Sequence, residues 1–234
     1  MKKNADISGD WIKKMIRDFI ATSPDNTMQN ETGEPAWDEA LVGFASGADQ
    51  IWQQYKEYVG AFHWTPWEVY NQHGAQTPAG PEELTVVAWV LPQRERVRKA
   101  NRKVKKYPAE EWARIRIYGE AFNAALRRHV ADGLQKEGHP AVAPMLVANW
   151  TTVKSERFSY ASSWSERHAA YAAGLGTFGL CDGLITPADR DAMVETVRKA
   201  YEGLGAAENF EYAAPPHGHT LDWDCAKPFL ARHL

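Results

Sequence analysis

Cysteine is almost missing from this chain of 234 residues, which contains only Cys181 and Cys225. Two cysteines so far apart cannot complete a four-ligand zinc module, nor can they hold an iron–sulfur cluster within the chain. We do not expect a disulfide between them in a reducing compartment. No H-x-x-H or H-E-x-x-H spacing occurs, so the sequence predicts no metal site built from its own side chains.

Long hydrophobic runs are missing as well. No segment reaches the roughly 18 apolar residues that a membrane helix needs, and the opening MKKNADISGD lacks the apolar region of a signal peptide. We therefore expect a cytoplasmic protein without a membrane partner. The hydrophobic content of 44% and charged content of 24% are those of a globular domain, and the ten tryptophans favour a large aromatic core.

Positive charge is concentrated in one stretch. The net charge is −3, yet residues 94–106 (RERVRKANRKVKK) contain eight Lys or Arg and one Glu, a local charge of +7. The rest of the chain therefore carries −10. We interpret the stretch as a solvated basic connector and do not expect a nucleic-acid partner, although a basic rim that attracts an anionic ligand remains an alternative.

Hydrophobic spacing and capping signals predict an α+β (mixed α/β) domain, in which a mixed sheet is flanked by helices. The apolar run at 83–92 predicts a central strand, and 141–148 predicts a second strand. The first helix should bury Trp11, Met15, Phe19 and Ile20. Predicted helices span 9–22, 48–59, a short segment after the N-cap Thr65, 109–137, the segment after a Ser163–Glu166 capping box, and 187–203. Further strands are predicted at 180–186 and 209–214, before a last helix.

The motif GLGTFG, residues 174–179, has the letters of a dinucleotide-binding loop but the wrong context. Such a loop follows a buried strand and begins a helix, whereas here the Ala-rich segment WSERHAAYAA precedes the glycines. Gly174 should therefore be a left-handed residue that ends a helix. A loop so poor in side chains would allow the backbone to approach something flat or bulky.

The longer segment SSWSERHAAYAAGLGTFGLCDGLITP, residues 162–187, resembles the core of the epoxyqueuosine reductase and reductive dehalogenase superfamily. Segments at 33–49, 59–70, 86–92 and 112–130 also look like parts of this group, so the resemblance covers about residues 20–187. It implies a nitroreductase-related domain, here 1–187, that binds cobalamin in its base-off form. The partner would then be a corrinoid or a small-molecule substrate.

The resemblance also implies site residues. Tyr160 stands where epoxyqueuosine reductases carry an aspartate that is thought to donate a proton, and dehalogenases of the superfamily are thought to use a tyrosine. A phenol is a weak acid, so a cation such as Arg157 would have to assist it. The cofactor-binding residues implied are Ser165, Arg167, His168, Tyr171, Gly174, Leu175, Gly176, Thr177, Phe178 and Gly179.

The chain departs from the family after residue 187. Relatives continue with two cysteine-rich cluster motifs, none of which is present, so electrons would have to come from a separate ferredoxin-type donor. Because the chain lacks these cluster motifs, the alternative hypothesis is a corrinoid carrier or assembly partner without catalytic activity. The tail 188–234 faintly resembles the end of dienelactone-hydrolase-like proteins, where Gly218-His219 would be the catalytic position. Cys181 in GLCDG is the nearest approach to a nucleophile elbow, which leaves a hydrolase as a third hypothesis.

Overall fold

The computed structural model describes residues 7–74, 78–104, 107–154 and 160–176, together with residues 191, 194, 195, 198, 199 and 202. The chain divides into two compact units, Met1–Gly176 and Thr177–Leu234. The boundary predicted after residue 187 lies outside the described residues. The six described residues of the second unit are helical, inside the predicted helix 187–203, and Glu195 pairs there with Arg198 and Lys199 at 3.6 Å.

The first unit combines helices with two small antiparallel sheets, which agrees with the predicted α+β class. Its helices and strands follow in chain order: α1 Gly9–Thr22, β1 Leu41–Ser46, α2 Ile51–Val59, α3 Pro66–His73, β2 Thr85–Val90, α4 Glu95–Lys103, α5 Glu110–Lys136, β3 Thr152–Val153, β4 Ala161–Ser162 and α6 Glu166–Ala172. Short 3₁₀ turns lie at Pro81–Glu83 and Pro144–Leu146.

The strand predicted at 83–92 is present as β2, but it is not central. It pairs antiparallel with β1 in a register that runs from Leu41 opposite Val90 to Ser46 opposite Thr85. No other described strand joins this sheet, so the expected mixed sheet is wrong for the described part of the chain. The apolar character of β2 on both faces has another cause, because helices cover it on both sides.

The strand predicted at 141–148 is wrong. Residues 141–143 have no regular structure, and Pro144–Leu146 form a 3₁₀ turn. Pro140 and Pro144 lack the N–H groups that a strand needs, and their fixed φ favours turns. Val142 and Met145 are apolar because they pack against the aromatic core below α6.

One face of the sheet is covered by α1 and α5. The predicted helix 109–137 is confirmed as α5, whose Phe122, Leu126 and Val130 are buried. Helix α1 is also confirmed, but its buried face is turned by one residue. It buries Ile12, Ile16 and Ile20, spaced by four, while Trp11 remains 37% exposed. Met15 and Phe19 lie at the margin of this core.

The basic stretch is not a connector but helix α4. Val97, on its inner side, is fully buried and packs with Met28, Ala36 and Ile115. Part of the positive charge is paired: Arg94 contacts Asp38 at 3.1 Å, and Arg96 contacts Glu34 and Glu111. The burial of Val97 therefore holds α4 against the rest of the unit, although the composition of this segment is typical of a solvated linker.

Gly119, in the middle of α5, should resist replacement by alanine. Helix propensity favours alanine over glycine by about 1 kcal/mol, but a Cβ atom here would lie 2.6 Å from the Trp37 ring. That ring is fixed because its Nε1–H donates to the Gly119 carbonyl at 3.3 Å. We expect Gly119→Ala to lower the free energy of unfolding by about 1–3 kcal/mol, the usual cost of overpacking.

The matched control is Gly133→Ala in the same helix. Its Cβ would meet the sulfur of Met15 at 2.5 Å, and that flexible side chain can move. We expect a neutral or stabilising effect, measured by urea unfolding followed through tryptophan fluorescence. Equal destabilisation by both changes would contradict the assigned role of Trp37.

Candidate functional site

Helix α6, which carries most of the predicted cofactor-binding residues, does not begin at the predicted capping box. Its N-cap is Ser165, whose hydroxyl accepts the His168 N–H at 3.5 Å. Ser163 is buried and accepts the Thr151 N–H at 3.1 Å, so it serves the loop before the helix. Glu166 is thus free of a capping role and forms an ion pair with Arg127.

The end of α6 agrees with the prediction for Gly174. This residue has φ +71°, its N–H donates to the Tyr171 carbonyl at 3.0 Å, and the Leu175 N–H donates to the Ala170 carbonyl at 2.9 Å. These two bonds define a Schellman turn. The turn packs tightly on β1, because a Cβ atom on Gly43 would lie 2.6 Å from the Ala173 carbonyl oxygen.

The glycine loop presents a bare outer surface. A Cβ atom added at Gly174 or Gly176 would meet no heavy atom within 4 Å, and both residues are exposed. Leu175, between them, packs on the aromatic core. Residues 174–176 are not among the lining residues of the cavity of about 690 Å³ that is described below. Thr177, Phe178 and Gly179 lie outside the described residues.

An aromatic cluster lies on the inner side of α6. The His168 ring meets the Tyr55 ring edge-on at 4.6 Å between centroids and the His63 ring at 5.4 Å. The Tyr55 hydroxyl donates to the His168 carbonyl at 3.1 Å, and His63 Nδ1 lies 2.9 Å from the Ser162 carbonyl oxygen. Trp164 stacks on both His63 and Trp52.

This environment favours neutral side chains. Burial, helped by the charges of His63 and Arg167, lowers the pKa of His168 to about 3. Burial also lowers the pKa of His63, and Lys56 acts in the same direction. Burial raises the pKa of Tyr55, with smaller contributions from Tyr171 and Asp49. The cluster therefore holds uncharged rings and is suited to support α6 rather than to transfer protons near neutral pH.

The other predicted site residues lie at the surface or outside the described part. Tyr160 is 73% exposed, and Tyr171 is exposed at 36%. Arg167 is also exposed. Arg157, proposed to assist Tyr160, falls outside the described residues, so its contact with Tyr160 stays a prediction. His219 and Cys181 of the hydrolase hypothesis lie outside them too.

A cavity of about 690 Å³ lies along the edge of β2 that faces away from β1. Residues 83–89 follow its length, and α5 supplies Asn123, Arg127, Val130 and Leu134. Residues 139–144, the start of α6 and parts of α1 and α3 supply the rest of the wall. The volume is within the range of ligand-binding pockets.

Arg127 is the most strongly fixed polar group in this wall. Its side chain is only 5% exposed and makes a two-pronged contact with Glu166, at 2.6 and 2.7 Å, and a third bond to Glu120 at 2.7 Å. Burial alone would lower the pKa of the guanidinium, but both carboxylates outweigh it and raise that pKa above its ordinary value. This bridge joins α5 to α6 beside the sheet edge.

Sequence reasoning missed Arg127 and Asn123 entirely. A signal was available, because both residues interrupt the apolar face of α5 with a spacing of four, between Ile115 and Val130. Polar residues on such a face often serve a buried network or a site. The partners of Arg127 could not be predicted, since Glu166 lies 39 residues away in the chain.

Comparison with protein-family models, with curated proteins and with solved structures finds no match for this chain. Among the described residues, no helix has the length and apolar character needed to cross a bilayer. The same residues contain no group of three or more His, Cys, Asp or Glu side chains arranged to hold a metal ion.

Proposed function

We propose that this chain is a corrinoid-binding redox protein of the epoxyqueuosine reductase and reductive dehalogenase type, which takes electrons from a separate ferredoxin-type donor if it is catalytic. The observation that carries the proposal is the bare surface of the Schellman turn. The segment that resembles the family forms a helix that ends at Gly174, and open space lies beside the backbone at Gly174 and Gly176.

Two observations on the described residues support such a cofactor. A corrin is broad and planar, so it can lie against a backbone surface that has no side chains. The rings of Tyr55 and His63 surround His168, which therefore supports the turn from below and does not offer an axial cobalt ligand at the surface. Bound cobalt would supply the reductive chemistry. The chain would bind and orient the corrinoid, and the exposed hydroxyl of Tyr160 would donate a proton.

A carrier without catalytic activity is the second candidate. It is favoured by the cysteine content, because two cysteines cannot form the clusters that would feed electrons to cobalt. A carrier needs neither a proton donor nor an electron supply. Both candidates share the binding step, and the cytoplasmic location expected from the sequence is compatible with either.

The binding step is tested by colour. We expect protein purified after anaerobic expression with hydroxocobalamin to hold near-stoichiometric corrinoid with a base-off spectrum. Gly176→Phe should reduce corrinoid binding at least tenfold, because the added ring would cover the bare surface without touching the core. Ala121→Phe, on the exposed side of α5, is the control and should retain binding. A colourless wild-type protein would refute the proposal.

Tyr160→Phe separates enzyme from carrier, since it removes only the hydroxyl. With corrinoid bound, a strong reductant and a halogenated or epoxide substrate, an enzyme should turn over and the variant should lose most of that rate. Turnover that survives the change would exclude Tyr160 as the acid. Tight corrinoid binding without any turnover would identify the carrier.

A further inference from the structure

The cavity beside β2 contains an unpaired strand edge. In an antiparallel pair, every second residue directs its N–H and C=O toward the partner strand, and the residues between direct theirs away from it. Since β1 is the only described strand beside β2, the outward groups of Thr85–Val90 have no strand partner among the described residues. At 3.3–3.4 Å per residue, this edge offers about 20 Å of regularly spaced donors and acceptors.

The edge is recessed rather than flat. Helix α5, residues 139–144 and the start of α6 rise beside it as walls of the cavity. Because walls flank the edge, a single extended chain fits it better than a second sheet, such as that of another copy of this chain. The walls are largely apolar, with Val69, Val130, Leu134 and Val142 among their residues.

Two side chains in the wall have hydrogen-bond donors to spare. Asn123 uses its Oδ1 to accept the Trp89 Nε1–H at 3.0 Å, and no described residue accepts from its Nδ2. Arg127 commits three of its five N–H bonds to Glu166 and Glu120. These donors could bond to an oxygen acceptor of a ligand in the cavity.

The charge of the cavity indicates which kind of oxygen acceptor a ligand should carry. Glu166 and Glu120 both bond to Arg127, and Glu83, which lines the cavity elsewhere, accepts from the Gly80 N–H, so the carboxylates at this cavity outnumber its one guanidinium. This excess of negative charge disfavours an anionic ligand and favours a neutral carbonyl together with a positive group. A peptide backbone provides neutral carbonyls at the repeat of a strand.

We propose that the groove along β2 binds an extended peptide by strand addition, with apolar side chains at alternate positions and a basic side chain at an end. Main-chain bonds to β2 would supply affinity, and the apolar walls would select the alternate side chains. Asn123 and Arg127 would donate to peptide carbonyls. This proposal does not depend on corrinoid binding, because residues 174–176, the described part of the glycine loop, do not line the groove.

The probes are acetylated and amidated heptapeptides in an array that varies Val, Thr, Lys and Glu at every position. We expect binders to have Val at alternate positions and Lys at an end. Their acidic counterparts, with Glu in place of Lys, and versions with a central proline should bind at least tenfold more weakly. Hydrogen exchange should show new protection of residues 85–90 in the complex.

Asn123→Asp is the sharpest variant. It retains an oxygen for the Trp89 indole, removes the two amide donors and adds negative charge, so the Kd should rise at least tenfold. Ala131→Trp, which fills the groove from α5, should abolish binding, while Ala121→Trp on the exposed face of the same helix should not change it.

Three results would each overturn the proposal. They are the absence of any binding peptide, binding that leaves residues 85–90 unprotected, and protection of the outward amides of β2 already in the free protein.

Discussion

Replacing Glu166 with alanine should lower the free energy of unfolding by about 3 kcal/mol. The change leaves the guanidinium of Arg127, which is 5% exposed, without its two-pronged partner. An uncompensated buried charge costs about 3–5 kcal/mol, and the remaining contact with Glu120 offsets part of that cost. Urea unfolding at pH 7 measures the effect.

Two further variants of this ion-pair network test whether the buried charge of Arg127 causes the destabilisation by Glu166→Ala. Arg127→Met should cost less, about 1 kcal/mol, because it removes the buried charge and fills a similar volume, and Glu166, 43% exposed, can return to water. Glu120→Ala should cost at most about 1 kcal/mol, since that carboxylate is well exposed. If Arg127→Met proves more costly than Glu166→Ala, burial of the cation is not the decisive factor.

Acid should destabilise the first unit well above the range in which carboxylates titrate. The pKa of His168 is lowered from 6.5 to about 3, and that of His63 is lowered as well. The unfolded chain therefore binds more protons than the folded chain below about pH 6.5. Stability is fully present above that pH and falls as the pH drops toward 3, by about 1.4 kcal/mol per pH unit from His168 alone.

The groups that face these rings act in different directions. Tyr55, whose pKa is raised, is neutral near pH 7. Lys56 opposes protonation of His63 and Arg167 opposes protonation of His168, whereas Glu68 favours protonation of His63. Glu68 is itself bonded to Lys56 at 2.9 Å and to the Thr65 N–H at 2.8 Å, which limits its effect. Desolvation is therefore the dominant cause for both histidines.

Urea midpoints at pH 8, 7, 6 and 5 measure this dependence. His168→Phe preserves an aromatic ring in the cluster and should flatten the loss of stability between pH 6.5 and 5. His73→Gln, a substitution at an exposed position of α3, should leave the slope unchanged. A wild-type protein equally stable at pH 8 and pH 5 would contradict the burial of neutral histidines.

Elements with strong local signals were predicted correctly. Thr65, Pro66 and Glu68 define the start of α3 by a capping box whose bonds are all within four residues, and the structure shows both of its bonds. Gly174 ends α6 because a left-handed turn favours glycine at this position. The stripe of α5 and the β-branched run of β2 were also sufficient to identify those elements.

Predictions failed where distant residues decide the outcome. Ser163 has the letters of a cap, yet its hydroxyl bonds to Thr151 and the helix starts two residues later. The basic stretch becomes a helix because Met28, Ala36 and Ile115 bury Val97. The segment 141–148 looked like a strand because its apolar residues face the aromatic core, not because they pair with a sheet.

The sequence by itself determined the α+β class, the start of α3 and the glycine turn that ends α6. Such a cap or turn depends on residues within one helical turn of each other. Only the tertiary structure decided that β2 has an open edge, that Arg127 bridges to Glu166, and that His63 and His168 share one buried cluster. The last two features join residues that are 39 and 105 positions apart in the chain. Their energies come from desolvation and close packing, which act only once the chain is folded.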